Sequence, residues 1–120
     1  MTHRSTTFDI RSAACFIRET ESLIQAGRER KRAAVLQHTI NVLKARFTGT
    51  QMQAWITGSL IREGTFGEGS DIDIVLKNYT GSRFDIWCDL ADELGENLDV
   101  ILYEKCGFRE HLDEHSLKVV

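Results

Sequence analysis

Asp71, Asp73 and Asp99 are the side chains of this chain best placed to do chemistry. Asp71 and Asp73 stand two residues apart in Ser70-Asp71-Ile72-Asp73-Ile74-Val75-Leu76, a segment that alternates like a strand. Side chains at i and i+2 of a strand share a face, so both carboxylates project together while Ile72, Ile74 and Leu76 pack behind them. Carboxylates held that close repel one another unless a divalent cation neutralises them, and an all-oxygen ligand set suits Mg²⁺ completed by water and substrate phosphates. Asn97-Leu98-Asp99-Val100-Ile101-Leu102 alternates in the same way, with Asp99 on the face opposite Leu98 and Val100. If that strand lies beside the first, Asp99 completes a triad. Three carboxylates can hold two Mg²⁺ ions roughly 3.5–4 Å apart, the arrangement that serves both attacking and leaving oxygens in phosphoryl transfer. Asp99 is then either a shared ligand or a general base. A lone Asp at a strand end is otherwise an ordinary turn or cap residue, so the weight rests on the constellation.

Gly58-Ser59 precedes the acidic pair, and the segment between them carries Gly64, Gly67 and Gly69. Glycines leave backbone amides uncovered, so such a loop can wrap an anion. It fits neither the Lys-containing P-loop nor the Rossmann spacing, and takes its meaning from the aspartates that follow. Leu60 to Arg62 is expected to begin a short helix, which would put Ser59 near an N-terminus favourable to phosphate.

Together, Gly58-Ser59-Leu60-Ile61-Arg62, Ser70-Asp71-Ile72-Asp73 and Asp99 resemble the signature of the DNA polymerase β-like nucleotidyltransferase superfamily, and the small size resembles its minimal prokaryotic members. The resemblance covers residues 50–105. It implies that Gly58, Ser59, Arg62 and Ser70 bind the nucleoside triphosphate, with ATP as the expected substrate, and that Asp71, Asp73 and Asp99 hold two Mg²⁺ and are catalytic. Gly58 lies thirteen positions before Asp71, one more than is usual in the family, so either Glu63 is a single-residue insertion or the turn differs. Minimal members often pair with a small helical HEPT-type toxin as its antitoxin, by transferring AMP to it. That implies a hydroxyl acceptor on a partner protein; a non-catalytic binding module, or a transferase acting on a small molecule such as an aminoglycoside, are the alternatives. Homo-oligomerisation is left open.

The elements that must position these residues read as helix, helix, strand, turn, strand, helix, strand, short helix. Ala13, Phe16, Ile17, Thr20 and Ile24 recur at helical spacing before a stop at Gly27, and Leu36, Ile40, Leu43 and Phe47 make a second stripe ending at Gly49. Residues 53–57, with Trp55 and Ile56, suit a buried strand. Ser82 can cap a helix presenting Phe84, Trp87, Cys88, Ala91 and Leu94, which Gly95 ends. The expected fold is α/β (α+β): one polymerase β-like nucleotidyltransferase domain with a small mixed sheet flanked by helices and an additional N-terminal helix. It divides into a helical part (1–49), a catalytic core (50–105) and a short C-terminal helix and tail (106–120).

Composition bounds the function classes. The chain has 120 residues, enough for one domain with a real core. A net charge of −3 and a pI near 5.8 argue against a dedicated nucleic-acid binder. No apolar run approaches a membrane span and the first residues lack a signal-peptide pattern, so a cytoplasmic protein is expected. Cys15, Cys88 and Cys106 are too widely spaced for a zinc site and are expected to be reduced and mostly buried. The basic run Arg28, Arg30, Lys31 and Arg32 could touch nucleotide, a partner protein or RNA; such runs are more often solvated surface, and it is left unassigned. His111-Leu112-Asp113-Glu114-His115 matches a zinc-peptidase pattern, but its better reading is a polar helix face.

Overall fold

The computed structural model describes residues 10–67, 69–95 and 97–120. One helix, α1 (Ile10–Phe47), replaces the two that were expected. Gly27 does not stop it. A stop there needs a left-handed residue, and Gly27 is not among the glycines of positive φ, whereas Gly49 just past the true end has φ 83°. A single glycine costs a helix only about 1 kcal/mol relative to alanine. The surrounding Gln, Ala, Arg, Glu and Lys are good helix formers, and the chain contains no proline.

After α1 come β1 (Gln53–Thr57), a 3₁₀ turn (Gly58–Ile61), β2 (Ile72–Lys77), α2 (Arg83–Leu94) and β3 (Leu98–Leu102). Two further 3₁₀ turns, the single-turn α3 (Leu112–His115) and the two-residue β4 (Leu117–Lys118) complete the described chain. The sheet has the order β3-β2-β1-β4, parallel between β2 and β3 and antiparallel elsewhere. A small mixed sheet flanked by helices was the expected class. β4 was not anticipated: residues 106–120 form short turns and then an edge strand, with Val119 N donating to the Ala54 carbonyl at 2.9 Å.

Alternation divides the sheet cleanly. Ala54, Ile56, Ile72, Ile74, Leu76, Leu98 and Val100 are buried on one face with Leu43, Phe47 and Leu90 of the helices. Trp55 and Val75 point the other way, under Cys106 and Leu112 of the C-terminal turns. Trp55 is core, as expected, and its indole donates to Asp113 at 2.9 Å. Ser82 caps α2 by accepting from Phe84 N and Asp85 N, and Gly95 closes it at φ 92°. The inward stripe of α2 differs from the expected one: Ile86 and Leu90 are buried, while Phe84 is exposed. The thiols differ too, since only Cys106 is buried and Cys15 is exposed. Among the described residues no helix is long and apolar enough to cross a membrane.

The outer part of α1 leaves the body. Thirty-eight residues of helix span about 57 Å, and the molecule is 78 Å long but only 29 by 22 Å across. Core burial along α1 is confined to Thr39, Val42, Leu43 and Phe47.

The continuity of α1 has a direct check. Nothing lies within 4 Å of a methyl group built on Gly27, so Gly27→Ala should stabilise the chain by about 0.5–1 kcal/mol in urea unfolding. A helix stop at this position would instead make the substitution destabilising.

Candidate active site

The register places the acidic residues. Thr57 of β1 pairs with Asp73 of β2, and Asp73 pairs with Asp99 of β3, so the three form one row across neighbouring strands. Asp73 shares with Val75 the face away from the larger core, as alternation requires. Asp71 lies one residue before β2 and is exposed at its entrance. The backbone holds this end shut: Ile72 N donates to the Asn97 carbonyl at 2.7 Å, which fixes the start of β2 against the approach to β3.

Electrostatics follow from that placement. The Asp73 carboxyl is raised above its ordinary value, first by burial and then by the charges of Asp99 and Asp71. Asp99 is half-exposed and has a cationic neighbour: Arg83 donates from Nη2 to Asp99 Oδ1 at 2.9 Å and from Nε to the Val100 carbonyl at 2.6 Å. Sequence reasoning missed Arg83. Nothing in its spacing marks it, because the contact depends on α2 returning the chain so that β3 lies parallel to β2.

An open cleft of about 460 Å³ reaches Asp73 but is lined by neither Asp71 nor Asp99; its walls are Thr57, Gly58, Arg62, Asp73, Ile101, Phe108 and His115. Gly58 is required there. Its φ is +80°, and a methyl group on it would stand 2.5 Å from Asp73 Oδ2. The chain leaving β1 therefore turns close against the central carboxylate, and a side chain there would strain the backbone and push the Asp73 carboxylate aside. Arg62 brings its cation to the same cleft. Phe108 and His115 form its outer wall, a role for the His111-to-His115 segment that the sequence did not indicate.

Ser59 and Ser70 are placed differently. The 3₁₀ turn Gly58–Ile61 is four residues long, too short to supply a helix dipole, and Ser59 contributes its carbonyl to Arg62 N and to the Thr65 hydroxyl. Ser70 faces a second hollow with Lys31, Phe66 and Gly67, and its hydroxyl accepts from Gly67 N at 3.0 Å. Of the expected triphosphate-binding residues, Gly58 and Arg62 line the cleft with Asp73.

The glycine loop is anchored by α1. Glu29 accepts from Gly64 N at 2.6 Å and pairs with Arg32, whose Nη1 donates to the Leu60 carbonyl at 2.9 Å. The Gly64 amide and Arg32 together hold the Glu29 carboxyl below its ordinary value. Arg32 is therefore a structural clamp on the segment leaving Gly58, not the solvated residue expected from the basic run.

The donor set suits a hard divalent cation in kind: it is all oxygen, with one carboxylate disfavoured as an anion by burial and then by its neighbours' charges. Among the described residues no three His, Cys, Asp or Glu side chains are already gathered as a cation cage. The arrangement is an open row, one end of which is engaged by Arg83. No family model, curated protein or solved structure matches this chain.

Two predictions follow from the geometry. Gly58→Ala should destabilise the fold by about 1–3 kcal/mol, from the left-handed backbone and from displacement of Asp73, as read by urea unfolding. Asp73→Asn should raise the thermal midpoint near neutral pH. Folding raises this carboxyl above 3.8, so its contribution favours the folded state in acid and is lost as pH rises through the folded value. The advantage of the Asn variant should therefore appear across the range just above 3.8 and vanish in more acidic solution. A pH-independent difference would contradict the raised Asp73 carboxyl.

Proposed function

We propose that this chain is a Mg²⁺-dependent nucleotidyltransferase that moves a nucleoside monophosphate, AMP from ATP, to a hydroxyl of a partner protein. The observation that supports it most is the row of Asp73 and Asp99 on adjacent parallel strands, with the Gly58 backbone pressed against Asp73 and Arg62 in the same cleft. The polymerase β-like motif carried by Gly58-Ser59, Asp71, Asp73 and Asp99 gives that geometry a reaction.

Asp71, Asp73 and Asp99 are the residues that would hold the metal. Bound Mg²⁺ supplies charge neutralisation at the triphosphate and lowers the pKa of the attacking hydroxyl. The chain's own groups divide the remaining work. Arg62 meets phosphate charge in the cleft, and Gly58, which has no side chain, lets the triphosphate approach Asp73 closely. Asp99, at the half-exposed end of the row, accepts the proton of the acceptor hydroxyl. The acceptor oxygen bonds to the α-phosphorus, the bond from that phosphorus to the bridging oxygen breaks, and pyrophosphate leaves with the electron pair. The cleft is open, so a protein surface can supply both the hydroxyl and the cover that excludes water.

A second reading draws support from Arg83. An arginine paired with Asp99 neutralises the residue that should take the proton, as in a module that inhibits its partner by binding alone. In the catalytic reading Arg83 holds Asp99 in place until substrate arrives, and the pair is exposed enough to exchange partners.

Incubating the chain with the protein encoded beside it, α-labelled ATP and Mg²⁺ separates the two. Transfer should label the partner and not this chain, and Asp71→Asn or Asp73→Asn should lower labelling by at least about 10²-fold. A partner silenced equally well by the Asp73→Asn chain, with no label and no gain in mass, would establish the binding module instead.

A further inference from the structure

The outer half of α1 carries a second apolar seam that the fold does not use. Phe16, Ile17, Leu23 and Ile24 are 69, 54, 73 and 50% exposed. With Ala13, Thr20 and Gly27 they form one stripe, and the Thr20 hydroxyl already donates to the Phe16 carbonyl at 2.8 Å, which leaves its methyl group free to pack. The seam is not an extension of the core stripe. Its seven-residue step from Ala13 through Thr20 and Gly27 continues to Ala34 and Asn41, which are exposed, whereas the core stripe runs through Leu36, Thr39 and Leu43. Four large apolar side chains on one projecting helix form the kind of patch that marks a protein interface.

The charges beside the seam identify the occupant. At 3.6 residues per turn, Glu19 and Arg30 flank it on one side, and Glu21 and Arg28 flank it on the other. When two copies of the helix lie antiparallel about a two-fold axis between Ile24 and Gln25, position 19 of each faces position 30 of the other, and 21 faces 28. Each flank then sets acid against base, twice, by symmetry. In the same register Ile24 meets its own copy near the axis, and Phe16 falls beside the small Ala34. A parallel pairing in register would instead set the Glu19 and Arg30 flank against the other copy's Glu21 and Arg28 flank, acid beside acid and base beside base.

We propose that this face is the interface of a homodimer, in which the outer halves of two α1 helices pack antiparallel and carry the two sheet domains at opposite ends. The pairing joins an apolar seam to complementary flanks, so that register and direction are set by charge while burial supplies the affinity. The inference rests on residues 13–34 alone and is independent of the catalytic reading.

Sedimentation equilibrium of the full chain tests it. The wild type should sediment at twice the 13.7 kDa chain mass, and Leu23→Glu with Ile24→Glu, both exposed positions, should leave a folded monomer by circular dichroism. Glu19→Arg with Glu21→Arg, and separately Arg28→Glu with Arg30→Glu, should each raise the dissociation constant at least about tenfold. Combining all four substitutions should restore wild-type dimerisation. A monomeric wild type overturns the proposal, as would occupation of the seam only by a different protein or by residues 1–9 of the same chain. A dimer that survives Leu23→Glu with Ile24→Glu overturns the seam, and a quadruple variant no better than either double overturns the antiparallel register.

Discussion

Mutual repulsion between carboxylates at one end of the sheet is the constraint around which the rest of this fold is arranged. Asp73 and Asp99 are in register on neighbouring parallel strands, and Asp71 stands at the entrance to the first. Adjacent strands lie about 4.8 Å apart, so ionising both side chains in a half-buried site works against folding. The carboxyl of Asp73 is raised first by its burial and then by the charges of Asp99 and Asp71, so that cost is one part of its titration. A scaffold with no use for the arrangement would relieve it by a single Asp-to-Asn change. The row makes physical sense as a site whose charge is balanced by what binds there.

Several features work to hold the row in place. The parallel pairing of β2 and β3 needs a crossover, and α2 supplies it, with the Ser82 cap and Gly95 setting its ends. That crossover also delivers Arg83 to Asp99. On the other side, Gly58 lets β1 turn within contact of Asp73, and Glu29 and Arg32 of α1 hold the loop that follows. The long helix thus has two unlike halves: an inner half that braces the site and an outer half whose apolar seam lies outside the core. The bracing contacts come from Glu29 and Arg32, near where the helix leaves the body.

Strands, the α2 cap and the separation of the two sheet faces were legible in the sequence because each is a local pattern. Alternation about Ile72, Ile74 and Leu76 predicted which face Asp73 would take, and the register then brought Asp99 beside it. Gly27 misled for a physical reason: glycine is a helix stop only when its backbone goes left-handed, and strong helix formers on both sides keep it helical. β4 was invisible because two residues carry no periodicity. Arg83, Phe108 and His115 reach the site through chain crossings that no spacing rule encodes. Ser70 was assigned by motif to the phosphate site, yet its turn aims it at a different hollow beside Lys31. Motif position gave the neighbourhood of that residue and not its direction.

The central proposal is that Asp71, Asp73 and Asp99 together form a divalent-cation site built for nucleotide. The most direct measurement is Mn²⁺ binding, followed by water-proton relaxation enhancement, with and without a non-hydrolysable ATP analogue. The account predicts that the analogue tightens Mn²⁺ binding, that Asp73→Asn abolishes the tightening, and that Ser70→Ala leaves it unchanged. Mn²⁺ affinity indifferent to the nucleotide, or equal in wild type and Asp73→Asn, would contradict it.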